Sequence, residues 1–334
     1  MIEVLRGGLL TTVQDYPGRV GYWHIGIPPS GPLDSLAFRI ANRLVGNQDG
    51  DAGLEITALG PKLRFGADAL IALTGAQLKA TLDDSKEVPW WRPISVEAGA
   101  TLTLGSIEGG GYRTYLTVSG GLDVPDYLGS KSTFVMGGFG GHQGRALEPG
   151  DVLKVGGAGG KTKSPAGRSD AKSAPDTGAG LVPSGLVPDY GSVWELATVP
   201  GPHSAPDFFT DADVEMFFAT DWKVHHNSNR FGYRLQGPEP KFARKDGGEG
   251  GHHPSNLLDC AYAVGTVNFT GTLPVILAVD GPSLGGFVSL ATVASSERWK
   301  IGQARPGDTI RFRPAGIDEV LALRRTQEDL IARI

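Results

Sequence analysis

The stretch Tyr115-Leu116-Thr117-Val118-Ser119-Gly120-Gly121 is a run of β-prone residues that ends in two glycines. This is the pattern of a buried strand followed by a turn. A second run of the same kind, Ile276-Leu277-Ala278-Val279-Asp280-Gly281, lies 161 residues further on when Val118 is aligned with Val279. The chain therefore contains two similar strand-and-turn signals, one in each half.

Each strand signal is followed by the same turn tripeptide. Glu148-Pro149-Gly150-Asp151-Val152-Leu153 lies downstream of the first, and Arg305-Pro306-Gly307-Asp308-Thr309-Ile310 lies downstream of the second, 157 residues apart. Pro-Gly-Asp predicts a turn that leads into a closing strand. Such tripeptides also recur by coincidence, but the shared order and spacing favour two copies of one β-rich module.

The boundary between the two copies is predicted by composition. Residues 156–180 contain no aromatic and no branched aliphatic residue, so this stretch cannot bury apolar surface and is typical of a linker. The length of 334 residues suits two domains. We predict an N-terminal β domain over 1–155, a Gly/Ala/Ser/Pro-rich linker over 156–190, and a C-terminal β domain over 191–334 that ends in a helix.

Few helices are predicted. The clearest begins at Pro32, with Ser30 or Gly31 as its cap and Gly46 at its end. A second begins at Thr210, where Asp213 completes a capping box, and a third runs from Ile317 to the end of the chain. The apolar stripe of the first helix recurs at helical spacing and comprises Leu33, Leu36, Ala37, Ile40, Ala41 and Leu44.

Overall composition narrows the class of protein. Gly and Pro make up 73 of the 334 residues, against an ordinary share of about 12%, which indicates a turn-rich β protein. The net charge of −5 argues against a nucleic-acid surface. The single cysteine, Cys260, excludes an internal disulfide. There is no apolar run of about 18 residues and no signal peptide, so we expect a cytoplasmic protein without a membrane span.

Three motifs that suggest chemistry are better explained by structure. Gly156–Thr162 resembles a phosphate loop, but the spacing is one residue short and no helix pattern follows. The pairs His225-His226 and His252-His253 place neighbours on opposite faces of a strand, which suits chelation poorly, so no metal site is predicted. Cys260 lies near His252 and His253 in sequence, but a buried small hydrophobe is the commoner role.

Three other segments place amide, carboxylate or guanidinium groups beside glycines. Glycine allows backbone N–H groups to approach a ligand closely, and amide side chains suit a neutral, amide-like ligand. Ordinary turn chemistry explains the same residues about equally well. The segments are 11–19 with 26–34, His225 to Leu235, and Asp280 to Phe287.

On these segments the chain resembles a known family: one half of the carboxyltransferase component of urea carboxylase, also called allophanate hydrolase subunit 2 or KipA-like. Outside 156–190 the resemblance covers the whole chain. The third segment, with Asp280-Gly281-Pro282-Ser283-Leu284-Gly285-Gly286-Phe287, resembles the urea carboxylase type and differs from the 5-oxoprolinase branch. The motifs that carry the resemblance are Thr11 to Asp15, Leu36 to Asn47, Leu54 to Thr57, Asn227 to Arg230, and Trp299 to Asp308.

The resemblance implies a mainly β fold of two homologous cyclophilin-like β-barrel domains with a few helices. It also implies a biotin-dependent carboxyltransferase that moves CO₂ from carboxybiotin to a nitrogen of urea or a related amide or guanidine. Two alternatives stay open. One is a hydrolase subunit of an allophanate hydrolase or 5-oxoprolinase complex, and the other is a non-catalytic KipA-like interaction protein.

The resemblance also implies roles for particular residues. Asn227 and Asn229 would bind the planar acceptor, Asp280 would accept an N–H bond or act as a base, and Arg230 would orient a carboxylate. Gly285 and Gly286 would supply backbone donors to an oxyanion. Asp280 and Asn229 are thus the predicted catalytic residues, and Asn227, Arg230, Gly285 and Gly286 are the predicted binding residues.

The expected partners follow from what the chain lacks. It has no Met-Lys-Met biotinylation site and no ATP-binding module. Biotin would therefore be carried by a separate protein, and a biotin carboxylase would charge it. The resemblance implies a sister subunit, allophanate hydrolase subunit 1 or KipI-like, without which the chain would be inactive.

Overall fold

The computed structural model describes residues 1–157, 182 and 185–334. The predicted linker over 156–190 and the glycine-rich motif at 156–162 fall largely outside the described residues. Contacts divide the chain into two compact units, which differ in detail from the predicted domain bounds. One comprises Met1–Arg19, Ser30–Tyr190 and Leu330–Ile334, and the other comprises Val20–Pro29 and Gly191–Asp329.

The strands of the first unit form a seven-stranded sheet, ordered β11-β12-β1-β4-β9-β6-β7, and a five-stranded sheet, ordered β2-β3-β10-β5-β8. All pairings are antiparallel. The strands are β1 Ile2–Arg6, β2 Leu10–Gln14, β3 Gly53–Thr57, β4 Lys62–Phe65, β5 Ala69–Gly75, β6 Leu78–Leu82, β7 Lys86–Glu87, β8 Pro93–Val96, β9 Thr101–Ile107, β10 Arg113–Val118, β11 Leu122–Asp123 and β12 Val152–Val155.

Both sheets of the first unit face one apolar core. Val4 on β1 and Leu102 on β9 come from the seven-stranded sheet, whereas Ile71 on β5 and Leu116 on β10 come from the five-stranded sheet. All four side chains are buried. Because each strand contributes alternate side chains to the same interior, the two sheets form a single β domain.

The second unit contains a closed barrel with strand order β13-β20-β17-β18-β15-β14-β21, in which the pair β13 and β21 is parallel, and a separate two-stranded ribbon of β16 and β19. The strands are β13 Val193–Pro200, β14 Trp222–Val224, β15 Gly232–Gln236, β16 Asn256–Ala261, β17 Thr266–Thr270, β18 Leu273–Leu277, β19 Leu284–Phe287, β20 Ser289–Val293 and β21 Thr309–Pro314.

Four α-helices occur in the described residues: α1 Ser35–Leu44, α2 Asp211–Ala219, α3 Arg298–Gln303 and α4 Ile317–Ile331. The capping box of Thr210 and Asp213 at α2 and the start of α4 at Ile317 are confirmed. The predicted cap of α1 is wrong. Asp34 caps this helix by accepting a hydrogen bond from the Ala37 N–H at 2.8 Å, because the chain at Ser30 and Gly31 still has left-handed backbone angles.

The two Pro-Gly-Asp turns make the same set of hydrogen bonds. The carboxylate of Asp151 accepts from the Glu148 N–H at 2.8 Å, and that of Asp308 accepts from the Arg305 N–H at 3.1 Å. Their main-chain carbonyls accept from Val4 and Val224, respectively. Both turns lead into a strand, as predicted. The mainly β fold with a barrel and few helices is confirmed, while superposition of the two halves stays a prediction.

Candidate functional site

An open cleft of about 670 Å³ lies in the second unit beside the connection between β14 and β15. The side chains that line it are rich in amides and nitrogen heterocycles, and none of them is a carboxylate. They are His225, His226, Asn227, Ser228, Asn229, Arg234, Leu235, Gln236 and Leu273. A surface of this composition suits a neutral or anionic polar ligand.

The loop that forms the cleft is closed by its own polar groups. The Asn227 N–H donates to Nδ1 of His225 at 3.1 Å, which leaves the ring proton of a neutral His225 on Nε2. The hydroxyl of Ser228 donates to the Arg234 carbonyl at 3.3 Å and accepts from the Arg234 N–H at 3.1 Å. The rings of His225 and His226 lie 3.9 Å apart. These contacts within the loop hold its polar side chains beside one another.

Asn227 and Asn229 are exposed at this cleft. The Asn229 side-chain oxygen accepts from the Phe231 N–H at 2.8 Å, so its amide NH₂ group faces away from the turn that its oxygen closes. Neither that NH₂ group nor the side-chain amide of Asn227 has a hydrogen-bond partner among the described residues. The whole Asn227 side-chain amide and the Asn229 NH₂ group are therefore available for a ligand at the predicted acceptor-binding positions.

Arg230 and Asp280 form a buried, two-pronged ion pair. Nε of Arg230 donates to Oδ2 of Asp280 at 2.8 Å, and a terminal nitrogen donates to Oδ1 at 3.1 Å. Both side chains are 6% exposed. The backbone joins the same two segments, since the Asp280 N–H donates to the Arg230 carbonyl at 2.9 Å. The pair fixes the residues that follow Asn229 to the turn after β18.

The structure brings together some predicted site residues and separates others. Asn227 and Asn229 share the cleft, and Arg230 contacts Asp280. Within the described part of the chain, Asp280, Gly285 and Gly286 are not among the residues that line the cleft. The two glycines lie on β19, in the ribbon with β16.

Two polar residues of the first segment singled out in the sequence, Gln14 and Asp15, make contacts within the first unit. Oε1 of Gln14 accepts from the Gly31 N–H at 3.1 Å. The Asp15 carboxylate accepts from the hydroxyl of Ser130 at 2.6 Å and from the Lys131 N–H at 2.7 Å. These groups close two loops onto each other, so they are structural residues.

Cys260 is half-buried, and its thiol lies 3.7 Å from the carbonyl oxygen of Phe287. Burial raises the pKa of the Cys260 thiol, which disfavours the thiolate that a nucleophile needs. No group of three His, Cys, Asp or Glu side chains is placed to hold a metal ion in the ranges that the structure describes. Over the same ranges, no helix has the length and apolar character needed to span a membrane.

Sequence reasoning missed Tyr262. Its hydroxyl accepts from the Phe287 N–H at 2.7 Å and donates to the Phe287 carbonyl at 3.1 Å, and burial is the main cause that raises the pKa of Tyr262. The available signal was its position two residues after Cys260, which places both side chains on one face of an extended segment. Their common target, Phe287, is 25 residues from Tyr262 and 27 from Cys260, and it has no local signature.

Comparison with known proteins places the chain in a family of carboxyltransferase domains. Residues 25–314 match the family described as carboxyltransferase domain, subdomain A and B. The chain is 46% identical over 329 residues to urea amidolyase of Saccharomyces cerevisiae, and this match covers 98% of this chain and 17% of that protein. It is 34% identical over 331 residues to a 5-oxoprolinase subunit of Escherichia coli, and the match spans 98% of this chain and 96% of that bacterial protein.

Solved structures agree with these relatives. The structure of Kluyveromyces lactis urea carboxylase matches with a TM-score of 0.90 at 48% identity, covering 99% of this chain and 29% of that one. The protein TTHA0988 matches with a TM-score of 0.73 at 32% identity, covering 93% of this chain and 55% of that one. This chain thus spans only a fraction of its fungal relatives. By its match over 25–314 and its identity to full-length bacterial subunits, it belongs to the family of carboxyltransferase domains, subdomain A and B.

Proposed function

We propose that this chain is one half of a biotin-dependent carboxyltransferase that carboxylates a nitrogen of urea or a closely related planar amide. The observation that carries the proposal is the cleft at 225–236. There the Asn227 side-chain amide and the NH₂ group of Asn229 lack partners among the described residues, whereas the Asn229 oxygen accepts from the Phe231 N–H, and no lining side chain is a carboxylate. Such a donor and acceptor set complements a small neutral amide. Membership of the carboxyltransferase family and identity to urea amidolyase support the reaction class.

Biotin is the implied cofactor, held by a separate carrier protein. When bound as carboxybiotin it supplies the carboxyl group, and its ureido oxygen then needs hydrogen-bond donors. The residues present fit such a group, because the cleft offers amide NH₂ groups and the Arg234 guanidinium. The Gly285–Gly286 strand adds half-buried backbone at a second place in the same unit.

In this proposal the residues have separate tasks. Asn227 and Asn229 orient the acceptor so that its nitrogen faces the carboxyl group. Arg230 holds the loop in place through Asp280, because both carboxylate oxygens of Asp280 are engaged by its guanidinium. Gly285 and Gly286 provide backbone N–H donors toward developing negative charge. The acceptor must also lose a proton, and we assign the base to the sister subunit.

The partners proposed are a KipI-like sister subunit, a biotin carboxylase and a biotin carrier. The support is that a similar sequence makes up 17% of a fungal urea amidolyase and nearly the whole of a bacterial 5-oxoprolinase subunit. The bacterial match favours one competing function, membership of a 5-oxoproline-hydrolysing complex, since it spans 96% of that bacterial protein. The interaction-protein alternative has no specific observation in its favour.

The test is a reconstituted complex of this chain, the sister subunit, the biotin carboxylase and the carrier, supplied with ATP and bicarbonate. Urea, guanidinium and 5-oxoproline are offered as separate acceptors. We expect carboxylation of urea and a loss of about 100-fold in turnover for Asn229→Ala. Gln77→Ala, which removes an exposed amide in the first unit, is the matched control. Turnover of 5-oxoproline alone would favour the competing function, and no turnover with any acceptor would favour an interaction protein.

A further inference from the structure

The β16 and β19 ribbon stands outside the barrel sheet. Its ladder is irregular, because the register shifts between Asn256 and Cys260 on β16. A two-stranded ribbon has little stability of its own. Both strands also expose apolar side chains, with Leu258 73% and Leu284 51% accessible. Something other than the ladder must therefore fix where β19 lies.

Tyr262 supplies that restraint. Its side chain is 8% exposed, and its hydroxyl oxygen meets both main-chain polar groups of Phe287, at 2.7 Å for the N–H and 3.1 Å for the carbonyl. The backbone of the same segment is joined through the Tyr262 N–H, which donates to the Ser283 carbonyl at 2.8 Å. One tyrosine thus binds β19 just before its start and at its end.

The two glycines of β19 are fitted to this arrangement. A Cβ added to Gly285 would lie 2.7 Å from Cε2 and 3.0 Å from the hydroxyl oxygen of Tyr262, and a Cβ added to Gly286 would lie 2.8 Å from the Leu257 carbonyl oxygen. Neither distance is tolerated in a packed interior. The strand therefore contacts the tyrosine ring on one face and the β16 backbone on the other, and only glycine fits at both positions.

We infer that Tyr262 is a positioning residue for the reaction: it sets the location of the Gly285–Gly286 backbone through Phe287. The inference rests on the proposed function for the role of those backbone donors. Without the hydroxyl, the Phe287 N–H loses that acceptor and the Phe287 carbonyl keeps only the Cys260 thiol at 3.7 Å. The irregular ladder and the backbone bonds of Ser283 and Val288 on either side then hold β19 less tightly. Donors aimed at developing charge lose much of their effect when displaced by a fraction of an ångström. Binding of the acceptor at the cleft does not involve β19.

The experiment compares wild type, Tyr262→Phe, Tyr262→Ala, Gly285→Ala and Tyr262→Ala/Gly285→Ala in the reconstituted complex. For Tyr262→Phe we expect kcat to fall about tenfold while the KM for urea stays within about twofold. Gly285→Ala should lower kcat by a similar factor, because its methyl group displaces the Tyr262 ring. The kcat of the double variant should be no lower than that of Tyr262→Ala alone, since the effects of residues that act through one contact do not add. Leu258→Ala, which shortens an exposed side chain on the same ribbon, is the control and should keep wild-type kcat.

A second readout does not depend on turnover. Hydrogen exchange of the Phe287 amide in the isolated chain should be about tenfold faster in Tyr262→Phe and unchanged in Leu258→Ala. Wild-type exchange together with wild-type kcat in Tyr262→Phe would overturn the inference, as would strictly additive losses in the double variant. If the wild-type complex carboxylates no acceptor, the proposed function fails, and unchanged exchange at Phe287 would then separately overturn the positioning role.

Discussion

Removal of the Asp280 carboxylate should destabilise the second unit strongly. In Asp280→Ala the Arg230 guanidinium, 6% exposed, loses the carboxylate that accepts from two of its nitrogens at 2.8 and 3.1 Å. Breaking a buried ion pair from one side costs about 3–5 kcal/mol, because the remaining charge stays desolvated. For a domain of this size each kcal/mol lowers Tm by roughly 2–4 °C, so we expect a drop of about 10 °C.

Thermal unfolding followed by near-UV circular dichroism measures this drop, and two variants act as controls. The pair of Asp221 and Arg311 has the same two-pronged geometry in the same unit but is more than half exposed. Asp221→Ala should therefore shift Tm by no more than about 2 °C. Arg230→Met/Asp280→Leu should recover most of the loss, since apolar replacement of both partners removes the uncompensated charge.

Melting of Asp280→Ala within about 2 °C of wild type would contradict a stabilising role, because the pair would then contribute no more than a surface contact. Losses of Arg230 and Asp280 that simply add in the double variant would contradict it as well. Either result would leave the carboxylate of Asp280 free for a chemical role.

Three further predictions test other parts of the structure. Burial lowers the pKa of His203, whose Nδ1 accepts from the Ser289 N–H. Because the folded state favours the neutral ring, the free energy of unfolding should fall as pH drops below about 6.5, and the Tm of His203→Gln should depend less on pH than that of wild type over this range. Ser30 has φ 55 and a buried hydroxyl, so Ser30→Gly should raise the free energy of unfolding by about 1 kcal/mol in a denaturant titration. Cys260 should react with iodoacetamide at neutral pH more slowly than a free thiol because its pKa is raised, as mass spectrometry would show.

Local signals in the sequence predicted the fold well. The capping box at Thr210 and Asp213 and the Pro-Gly-Asp turns depend on residues within three or four positions of one another, so their physics is visible in a short window. The cap of α1 was misplaced because Ser30 is a good cap by type. Its left-handed backbone, held by the loop that Gln14 closes, moves the N-cap to Asp34 and the first helical residue to Ser35.

The candidate site was predicted only in part, for a physical reason. Asn227 and Asn229 lie close in sequence to the groups that shape their loop, and the structure exposes both at one cleft; their role there stays a prediction. The pair of Arg230 and Asp280 joins positions 50 residues apart, and Tyr262 reaches Phe287 over 25. Such contacts depend on which distant strands lie beside each other in the barrel and in the ribbon. The glycines of β19 were interpreted as ligand-approach positions, and that stays a prediction. The structure adds a packing reason for the missing Cβ, contact with Tyr262 and Leu257, that no short stretch of sequence shows.

The most direct measurement is a single turnover with carrier protein carboxylated beforehand with labelled bicarbonate. This chain and its sister subunit are mixed with that carrier and urea, without ATP or the biotin carboxylase, and label on urea is followed in time. We predict label transfer to urea that depends on both subunits and is about 100-fold slower in Asn229→Ala. Loss of label from the carrier with none on urea, or equal rates in the wild type and Asn229→Ala, would contradict a carboxyltransferase site at this cleft.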